Sequence, residues 1–424
     1  MKCSVIGLGY VGLPLAIRLT LIGHQVVGID KNKQKIREFQ KLKLPFAKNE
    51  PHLLNLFKKA THSRRLSFST KYDSISKSDL VFINVDTPLK GIKPDNETLI
   101  SACKSCGQNL KKGTTVVIES TIAPRTCVNI IIPVLENESK LKLNRDFYLA
   151  HVPERIRPNH IFEQLTKLQR VIGISSPKIK HLLKEVYSKI TLGELDFTDL
   201  TTAEVAKTIE NSYRDVNIAL ANELALVCEE LGVDFWQVRK FVNKAPAYNL
   251  HLPGSGVGGH CIPKDPWLLI SSVRRTETNL LKNSRHINDK MPSHIYSLLV
   301  KALEKKGLKK EKVTTVILGY SYVENSDDTR NSPSKKFASL LHENKIHFKI
   351  HDPLVPEYKK PEPYKLLKGA NAMIVMVKHD NYQKLNLLKI ANLMRTKIII
   401  DGRNLIDSKK AKAAGFLYKG IGNV

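Results

Sequence analysis

The chain has 424 residues, more than one ordinary hydrophobic core accommodates, so we expect two or three domains. Its 42% hydrophobic and 25% charged residues are the proportions of a soluble globular protein. Six scattered cysteines exclude a secreted disulfide framework and favour a reducing cytosol. The net charge of +28 leaves three interpretations open: a nucleic-acid surface, a lysine-rich surface without specific function, or a positive field that gathers anionic nucleotides.

The first apolar run of the chain is neither a signal peptide nor a membrane span. It extends from Cys3 to Ile17, contains glycines and Pro14, and is interrupted by Arg18. It lacks a small-residue cleavage site, and no other stretch approaches ~20 apolar residues. We therefore predict a cytoplasmic protein without a membrane partner.

The chain opens with a predicted strand, turn, helix and second strand. An apolar run over residues 2–7 is followed by a glycine-rich turn, a helix-like stretch to Ile22 and a strand over residues 25–30. Further strand-like runs occur at 80–85, 114–118 and 147–151. Strands that alternate with helices predict a parallel sheet covered on both faces.

The turn carries the spacing Gly-x-Gly-x-x-Gly at Gly7, Gly9 and Gly12. In this context Gly7 permits the tight turn, Gly9 lets backbone N–H groups approach a pyrophosphate, and Gly12 lets the helix pack close to the strand. Asp30, which closes the second strand, would accept hydrogen bonds from ribose hydroxyls and repel a 2′-phosphate. This predicts NAD rather than NADP, with a merely structural turn as the alternative.

A long helix is predicted in the middle of the chain. Apolar residues recur every three or four positions from Ala203 to Leu231, and Gly232 is a fitting stop. Thr201 and Glu204 predict a capping box at its start. Such a helix, about thirty residues long, commonly joins domains or builds a dimer interface.

Lys207 and Asn211 lie four residues apart and therefore on one face of this helix. One interpretation is a solvated polar stripe. The other is an ammonium and an amide aimed into a cleft, where they would stabilise an oxyanion.

A glycine-dense loop over residues 254–261 ends in Cys261. Its glycines expose the backbone, and His260 and Lys264 are close enough in sequence to lower the pKa of the thiol. This favours a nucleophile over a buried structural thiol. Asp265 would either orient a hydrolytic water or cap a turn.

Polar motifs follow two predicted strands at their carboxyl ends, where open α/β sheets bind ligands. They are Glu119-Ser-Thr121 and Pro153-Glu154-Arg155. Thr121 and Glu154 are candidates for positioning a water or accepting a proton. A single Cys103-x-x-Cys106 pair is weak as a zinc or redox signal, and no metal is predicted.

A second α/β unit is predicted after Met291. Its predicted strands are 312–319, 346–351, 372–378 and 396–401, with a helix over 332–344. Gly319 is followed by Tyr-Ser-Tyr instead of the glycine fingerprint. We therefore predict a second nucleotide-binding-like domain for a different ligand.

Together these motifs resemble the nucleotide-sugar 6-dehydrogenases, the UDP-glucose/UDP-N-acetylmannosamine dehydrogenase family, nearly from end to end. The segments that carry the resemblance are Gly7-x-Gly9-Tyr-Val-Gly12-Leu-Pro14, Glu119-Ser-Thr121, Pro153-Glu-Arg155, Lys207-x-x-x-Asn211 with Arg214-Asp-Val-Asn-Ile-Ala219, Gly258-Gly-His-Cys261, Asp327-Asp-Thr-Arg330 and Asp401-Gly-Arg403. The resemblance implies an α/β fold of two Rossmann-like doubly wound parallel-sheet domains joined by a long helix. The implied domains are 1–195 for NAD, 196–295 for dimerisation and the cysteine loop, and 296–424 for the UDP-sugar.

The resemblance also implies a mechanism and a set of contacts. Cys261 would attack a C6 aldehyde, and water would release the acid from a thioester. Lys207 and Asn211 would stabilise the oxyanion, while water and protons would be handled by Thr121, Glu154 and Asp265. The implied NAD contacts are Gly7, Gly9, Tyr10, Val11, Gly12, Asp30, Thr87, Thr121 and Arg330. The implied substrate contacts are Glu154, Arg155, Lys207, Asn211, Arg214, Asn249, Gly258, Arg330 and Arg403.

Substrate choice depends on finer features. His260, the segment 154–158 and the segment 288–292 are similar to the UDP-N-acetylmannosamine subgroup, so this sugar nucleotide is the predicted substrate. UDP-N-acetylglucosamine and UDP-glucose are the alternatives. Ala247 stands where the family usually carries an arginine that reaches the neighbouring subunit's substrate, and prolines are replaced by Asp86 and Ser255.

Two competing function classes are a basic nucleic-acid binder on a Rossmann scaffold and a non-catalytic paralogue. The intact Cys261, Lys207 and Asp265 argue against the second. We predict a homodimeric enzyme that binds a UDP-sugar and NAD, with no nucleic-acid partner.

Overall fold

The computed structural model describes residues 1–44, 51–156 and 161–423. Two compact units make up the chain. The first comprises Met1–Glu210 with Trp267–Thr276, and the second comprises Asn211–Pro266 with Glu277–Val424. Among the described residues, no helix is both long enough and apolar enough to cross a membrane.

The first unit is built on an eight-stranded sheet and carries a separate two-stranded hairpin. Its strands are β1 (Lys2–Ile6), β2 (Gln25–Ile29), β3 (Leu66–Ser69), β4 (Leu80–Ile83), the hairpin pair β5 (Leu89–Lys90) and β6 (Lys93–Pro94), β7 (Thr115–Ile118), β8 (Tyr148–His151), β9 (Arg170–Ile174) and β10 (Leu195–Thr198). The sheet order is β10-β9-β8-β7-β4-β1-β2-β3. β1 lies between β2 and β4 and pairs with both in parallel, which creates a switch point at the carboxyl end of β1.

Helices connect the strands of this sheet. Those that precede the long helix are α1 (Gly12–Leu21), α2 (Lys33–Gln40), α3 (Pro51–His62), α4 (Glu97–Gln108), α5 (Ile132–Ser139), α6 (Ile161–Lys167) and α7 (Lys180–Ile190). The inner strands β4 and β7 are wholly buried, as expected of strands covered on both faces. One detail differs from the expected parallel sheet, because β9 pairs with β8 in antiparallel orientation.

The long helix α8 spans Leu200–Leu231, 32 residues, and ends at Gly232, whose φ of +71° suits a helix terminus. The predicted capping box is wrong. The backbone N–H of Thr202 donates to Asp199 at 2.9 Å, so Asp199 caps the helix instead. The carboxylate of Glu204 accepts from the backbone N–H groups of Arg125 and Cys127, at 2.5 and 2.7 Å, and so caps a different helical segment.

The second unit is built on a five-stranded sheet in which every pair is parallel. The strands are β11 (Thr314–Leu318), β12 (His347–His351), β13 (Ala372–Val375), β14 (Ile398–Asp401) and β15 (Leu417–Gly420), in the order β12-β11-β13-β14-β15. The remaining helices of the chain are α9 (Phe235–Val242), α10 (Asp265–Ser271), α11 (Asn279–Lys305), α12 (Pro333–Glu343), α13 (Pro363–Leu367), α14 (Asp380–Gln383), α15 (Leu387–Leu393) and α16 (Ser408–Ala413). The structure therefore confirms the predicted α/β class with two Rossmann-like sheets.

Candidate active site

The turn after β1 forms an open cradle at the start of α1. A Cβ atom on Gly7 would lie 2.3 Å from the carbonyl oxygen of Asn84, and one on Gly12 would lie 1.9 Å from that of Gly7. These two positions therefore admit only glycine. A Cβ atom on Gly9 would meet nothing within 4 Å, so the turn is open at this glycine. The arrangement fits a dinucleotide whose pyrophosphate approaches the backbone at the helix N-terminus.

Asp30 follows β2 and braces this turn. Its Oδ2 accepts from the backbone N–H of Leu8 at 3.0 Å and from Nζ of Lys35 at 2.9 Å, and its Oδ1 accepts from the N–H of Asn32 at 3.0 Å. Burial works to raise the pKa of Asp30, but these three donors outweigh it and hold the pKa below its ordinary value. A carboxylate that stays ionised beside the turn suits an acceptor for ribose hydroxyls.

The other predicted cofactor residues of the first unit lie around the same strand ends. Tyr10 is exposed and Val11 half-buried, immediately before α1. The hydroxyl of Thr87 donates to the carbonyl oxygen of Thr121 at 2.6 Å, which ties the segment after β4 to the segment after β7. Arg330, also predicted to contact NAD, belongs to the second unit.

Glu154 lies directly after β8 and is buried. Its Oε1 pairs with the guanidinium of Arg170, and its Oε2 accepts from the backbone N–H of Ile156 at 2.6 Å. Arg155 pairs instead with Glu210 at 2.9 Å. Both carboxylate oxygens of Glu154 are therefore held in place. Residues 157 and 158, which end the predicted segment 154–158, lie outside the described residues.

Lys207 is only 6% exposed, which contradicts a solvated stripe on this part of α8. Asn211 follows one turn later and is half-buried. Lys207 belongs to the first compact unit and Asn211 to the second. An ammonium buried on a helix is costly unless it meets negative charge, so its retention favours a functional role.

Cys261 is exposed, in contrast to the five other cysteines, all of which are buried. Its carbonyl oxygen accepts from the backbone N–H groups of Lys264 and Asp265, at 3.0 and 2.8 Å, so the thiol lies at a tight turn directly before α10. Among the buried cysteines are the Cys103 and Cys106 of α4, and burial raises the pKa of Cys103 to about 12. Thiols held neutral in a core are inert, whereas the Cys261 thiol is accessible to a reactant.

Asp265 supports the cysteine turn from within the protein. It is fully buried, and its Oδ2 accepts from Nδ2 of Asn211 at 2.5 Å. Nζ of Lys264 lies 3.5 Å from its Oδ1. Asn211 and Asp265, chosen separately from the sequence, are therefore direct partners.

The loop that follows β11 holds the glycines before Cys261. The backbone N–H of Gly259 donates to the carbonyl oxygen of Arg330 at 2.9 Å, and Nδ2 of Asn331 donates back to the carbonyl oxygen of Gly259 at 3.0 Å. A Cβ on Gly258 or Gly259 would lie 2.6 or 2.7 Å from the side chain of Tyr322. These glycines are required because Tyr322 packs directly against the loop backbone.

Two of the arginines predicted to contact the nucleotide-sugar, Arg330 and Arg403, are anchored within the second unit. The guanidinium of Arg330 donates to both oxygens of Asp328, at 2.6 to 3.0 Å. Arg403 donates from Nε to the carbonyl oxygen of Met376 at 3.0 Å. Ser255, in place of a proline, donates to the same carbonyl at 2.9 Å, so its hydroxyl has a structural role in the loop.

Sequence reasoning missed a buried polar network that fixes the start of the cysteine loop. The backbone N–H of Gly254 donates to Asn222, Nδ2 of Asn222 donates to Asn288, and Asn288 donates to Asp215, each at 2.8 Å. Arg285 neutralises Asp215 at 2.5 Å. The pattern Asn288-Asp-Lys-Met-Pro292 was the available signal, but its spacing alone does not reveal a partner on α8.

The last predicted substrate residues lie near this loop or on the surface. Arg214 is half-buried. Burial of His251 is the main cause that lowers the pKa of this histidine, and the positive charge of Arg214 lowers it further. Asn249 and Ala247 are exposed in the segment between α9 and the cysteine loop. Burial raises the pKa of Tyr322 to about 12, so this ring stays neutral beside Cys261.

Three domain models of one family match this chain in order. They are described as the UDP-glucose/GDP-mannose dehydrogenase family NAD binding domain, central domain and UDP binding domain, and they match residues 1–191, 201–290 and 316–408. Together they match more than half of the chain.

Similar proteins extend over the full length. The chain is 37% identical to UDP-N-acetyl-D-mannosamine dehydrogenase of Pyrococcus horikoshii, over 100% of this chain and 99% of that protein. A solved structure of UDP-D-ManNAc dehydrogenase from the same organism has a TM-score of 0.94, with 37% identity, 100% of this chain and 99% of that chain covered. The NDP-N-acetyl-D-galactosaminuronic acid dehydrogenase structure from Methanosarcina mazei has a TM-score of 0.87, with 33% identity, 100% of this chain and 95% of that chain covered. The chain therefore belongs to the UDP-glucose/GDP-mannose dehydrogenase family and is an NAD-dependent nucleotide-sugar dehydrogenase.

Proposed function

We propose that this enzyme oxidises the C6 hydroxyl of UDP-N-acetyl-D-mannosamine to the carboxylate of UDP-N-acetyl-D-mannosaminuronate, through a thioester on Cys261. The observation that carries the proposal is the exposed thiol of Cys261, four residues before the buried Asp265 and its partner Asn211. The name of the Pyrococcus horikoshii relative supports the choice of sugar.

NAD, when bound, accepts a hydride in each of the two oxidations. The residues that hold it are those of the cradle after β1, with Gly9 open toward the pyrophosphate and Asp30 toward the ribose. Tyr10, Val11, Thr87 and Thr121 complete the proposed contacts of the first unit, and Arg330 those of the second. The negative charge of Asp30 disfavours the additional phosphate of NADP.

The thiol of Cys261 is regenerated at the end of each turnover. The first oxidation converts the C6 alcohol to an aldehyde, and the sulfur of Cys261 then forms a bond to C6, giving a thiohemiacetal. The second oxidation of that carbon leaves a thioester. Water adds to C6, the C–S bond breaks, and the thiolate of Cys261 is restored while the carboxylate leaves. The overall reaction consumes one water and two NAD for each sugar.

Lys207 and Asn211 are proposed to stabilise the negative oxygen on C6. They lie one turn apart on α8, and donors of this kind contribute roughly 3–4 kcal/mol each in known oxyanion sites. Asp265 is proposed to orient the hydrolytic water, because its carboxylate is held by Asn211 next to the cysteine turn. Thr121 and Glu154, which belong to the first unit, are proposed to accept or relay protons.

The proposed nucleotide-sugar contacts of the second unit are Arg214, Asn249, Gly258, Arg330 and Arg403. Arginine is well suited to a pyrophosphate, because its guanidinium donates in a planar fork. Glu154 and Arg155 are the proposed contacts of the first unit, together with Lys207. We also propose the three-domain division 1–195, 196–295 and 296–424.

We further propose a homodimer paired through α8. Five large apolar side chains on this helix are exposed by 45 to 70%: Ile209, Tyr213, Leu220, Val227 and Leu231. Their spacing of four or seven residues places them on one face, as in a helix that packs against another helix. Light scattering should report a dimer, and Leu220→Arg should weaken it.

We also propose that the protein resides in the cytoplasm, because its six cysteines are all free, as expected in a reducing compartment.

Cys261→Ser tests the proposed chemistry most simply. The variant should form no uronic acid, because a serine hydroxyl in this setting is a much weaker nucleophile and leaving group than a thiolate. Cys228→Ser is the matched control, since Cys228 is a buried thiol of α8 and should leave turnover unchanged. Normal acid formation by Cys261→Ser would contradict the thioester.

A further inference from the structure

A buried cluster of ionisable side chains lies behind Glu154 in the first unit. Glu119, at the end of β7, is 4% exposed, and its Oε1 accepts from the hydroxyl of Tyr187 on α7 at 2.6 Å. Arg170, on β9, is 2% exposed and pairs with Oε1 of Glu154. The reaction proposed for Cys261 gives no role to Glu119, Tyr187 or Arg170.

Arg170 is shared electrostatically between two carboxyl groups. Its pKa is affected first by burial, which lowers it, and then by Glu154 and Glu119, which together raise it above the ordinary value. Glu154 receives the direct ion pair, whereas Glu119 interacts with the guanidinium through its charge. A change in the charge of Glu119 therefore changes how strongly Arg170 stabilises the negative charge of Glu154.

Glu119 is the member of the cluster that changes its charge near neutral pH. Burial, the largest influence, and the charge of Glu154 raise its pKa, whereas the hydrogen bond from Tyr187 and the charge of Arg170 lower it, and the balance of these effects places the pKa at about 7. Its Oε2 is buried and has no hydrogen-bond partner among the described residues, which disfavours the ionised form. His151 on the neighbouring β8 is neutral over this range, because burial lowers its pKa to about 4.

We propose that Glu119 and Tyr187 are positioning residues that act on Glu154 through the guanidinium of Arg170. When Glu119 is neutral, Arg170 attracts Glu154 alone and holds its carboxylate in the ion pair. When Glu119 ionises, the attraction of Arg170 is divided between two carboxylates, and the carboxylate of Glu154 is released for the proton transfer proposed above. This inference rests on the proposed role of Glu154 in proton transfer.

The test compares pH profiles of kcat, at saturating NAD and UDP-N-acetyl-D-mannosamine, for the wild type and three variants. The wild type should show a several-fold rise of kcat with a midpoint near 7. Glu119→Gln, which is neutral at every pH, should stay on the low-pH plateau. Tyr187→Phe should move the midpoint to higher pH, because the lost hydrogen bond favoured the ionised form.

Tyr418→Phe is the matched control, since Tyr418 also donates from a buried position to a carboxylate at a strand end, Asp401, at 3.2 Å. It should leave the midpoint where it is in the wild type. A Glu119→Gln profile that keeps the rise, or a Tyr418→Phe profile that moves as Tyr187→Phe does, would overturn the inference. NADH formation by the wild type in the same assay would leave the proposed function standing.

A second measurement needs no turnover. Because the pKa of Glu119 is raised on folding, its stabilising contribution is present at low pH and is lost as pH rises through about 7, and Glu119→Gln should lack this loss. The free energy of unfolding should also show coupling between Glu119→Gln and Glu154→Gln in a double-mutant cycle. Additive effects of the two substitutions would overturn the shared role of Arg170 even if no UDP-sugar were oxidised.

Discussion

The two sheets of this protein begin in the same way and then diverge. In each, a glycine with positive φ follows the first strand, Gly7 at +86° and Gly319 at +95°, and its N–H donates at 2.8 Å to the last carbonyl of the next strand. After Gly7 the chain enters α1 within five residues. After Gly319 it continues as a loop until α12 begins at Pro333. The first turn exposes a helix N-terminus, whereas the second loop packs on the glycines before Cys261.

Asp30 follows the second strand of the first unit, and Asp352 follows the second strand of the other sheet. These two acids differ in their burial and in their hydrogen-bond partners. Asp30 accepts three hydrogen bonds and keeps 9% of its surface exposed. Asp352 is fully buried, and its two oxygens accept from four backbone N–H groups and from the ring of His379. A glycine and an acid at these positions therefore do not define a nucleotide site on their own. The segment after the glycine decides whether a ligand or the protein itself uses them.

Substitutions at two glycines of the first turn should have the largest effects. Gly12→Ala places a Cβ 1.9 Å from a backbone oxygen, so it should lower the free energy of unfolding by about 3 kcal/mol and abolish NAD binding. Gly9→Ala meets open space, so it should change stability by less than about 0.5 kcal/mol and still weaken NAD binding. Calorimetry of unfolding and of NAD binding checks both. Equal loss of stability in the two variants would contradict an open cradle.

The two acids should respond differently to removal. Asp352→Ala leaves buried N–H groups without an acceptor and should lower the free energy of unfolding by about 3–4 kcal/mol. Asp30→Ala should mainly raise the KM for NAD and reduce discrimination against NADP. Denaturant titration and NAD kinetics on both variants make the comparison. A stable Asp352→Ala protein would mean that the second acid is not structural.

Asp352 should also make the stability of the protein depend on pH in acid. Burial works to raise the pKa of Asp352, but His379 and the backbone donors outweigh it and hold the pKa well below its ordinary value. The stabilisation is therefore present above about pH 4 and is lost as pH falls further. Unfolding measured in acid should show a flatter pH dependence for Asp352→Asn than for the wild type, and an unchanged slope would contradict this assignment.

The second loop should matter to catalysis through the position of the thiol. Tyr322→Ala removes the ring that packs on Gly258 and Gly259, so the thiol of Cys261 loses its fixed position. We expect kcat to fall roughly 10- to 100-fold. Tyr320→Ala is the control and should retain kcat, because Tyr320 is in the same loop but packs against Tyr358, with ring centres 4.5 Å apart and planes tilted by 59°. Equal losses in both variants would point to general loosening of the loop.

The smallest expected effect concerns the ion pair at the first acid. Lys35→Met removes the 2.9 Å contact to Asp30, whose pKa should then rise toward its ordinary value. Because Lys35 is partly exposed, the free energy of unfolding at neutral pH should fall by less than about 1 kcal/mol. Thermal unfolding at low and high salt checks this. A larger loss would show that the pair, and not the backbone donors, braces the turn.

Much of the fold was predictable because it depends on local patterns. The glycine fingerprint, the strand ends and the stop of α8 at Gly232 all follow from backbone geometry that a few residue types satisfy. The antiparallel β9 was not predictable, since a short strand carries no signal of its direction. The capping box failed because Glu204 has a tertiary partner in the N–H groups of Arg125 and Cys127.

The candidate site likewise contains residues that local patterns predict and contacts that they do not. The loop that carries Cys261 and Asp265 predicts these two candidates, and helical spacing predicts Lys207 and Asn211. The contact of Tyr322 with the glycine loop joins residues more than sixty positions apart, and so does the hydrogen bond between Tyr187 and Glu119. Such contacts are absent from any local pattern, and only the folded chain brings them together.

The proposed reaction is tested most directly by counting the NADH formed for each UDP-N-acetyl-D-mannosamine that the wild-type enzyme consumes, with UDP-N-acetylglucosamine and UDP-glucose assayed in parallel. We expect two NADH per UDP-N-acetyl-D-mannosamine, with a uronic acid as the product and much slower oxidation of the other two. One NADH per sugar, with an aldehyde as the product, would contradict the thioester on Cys261. Two NADH from only another UDP-sugar would contradict the choice of substrate.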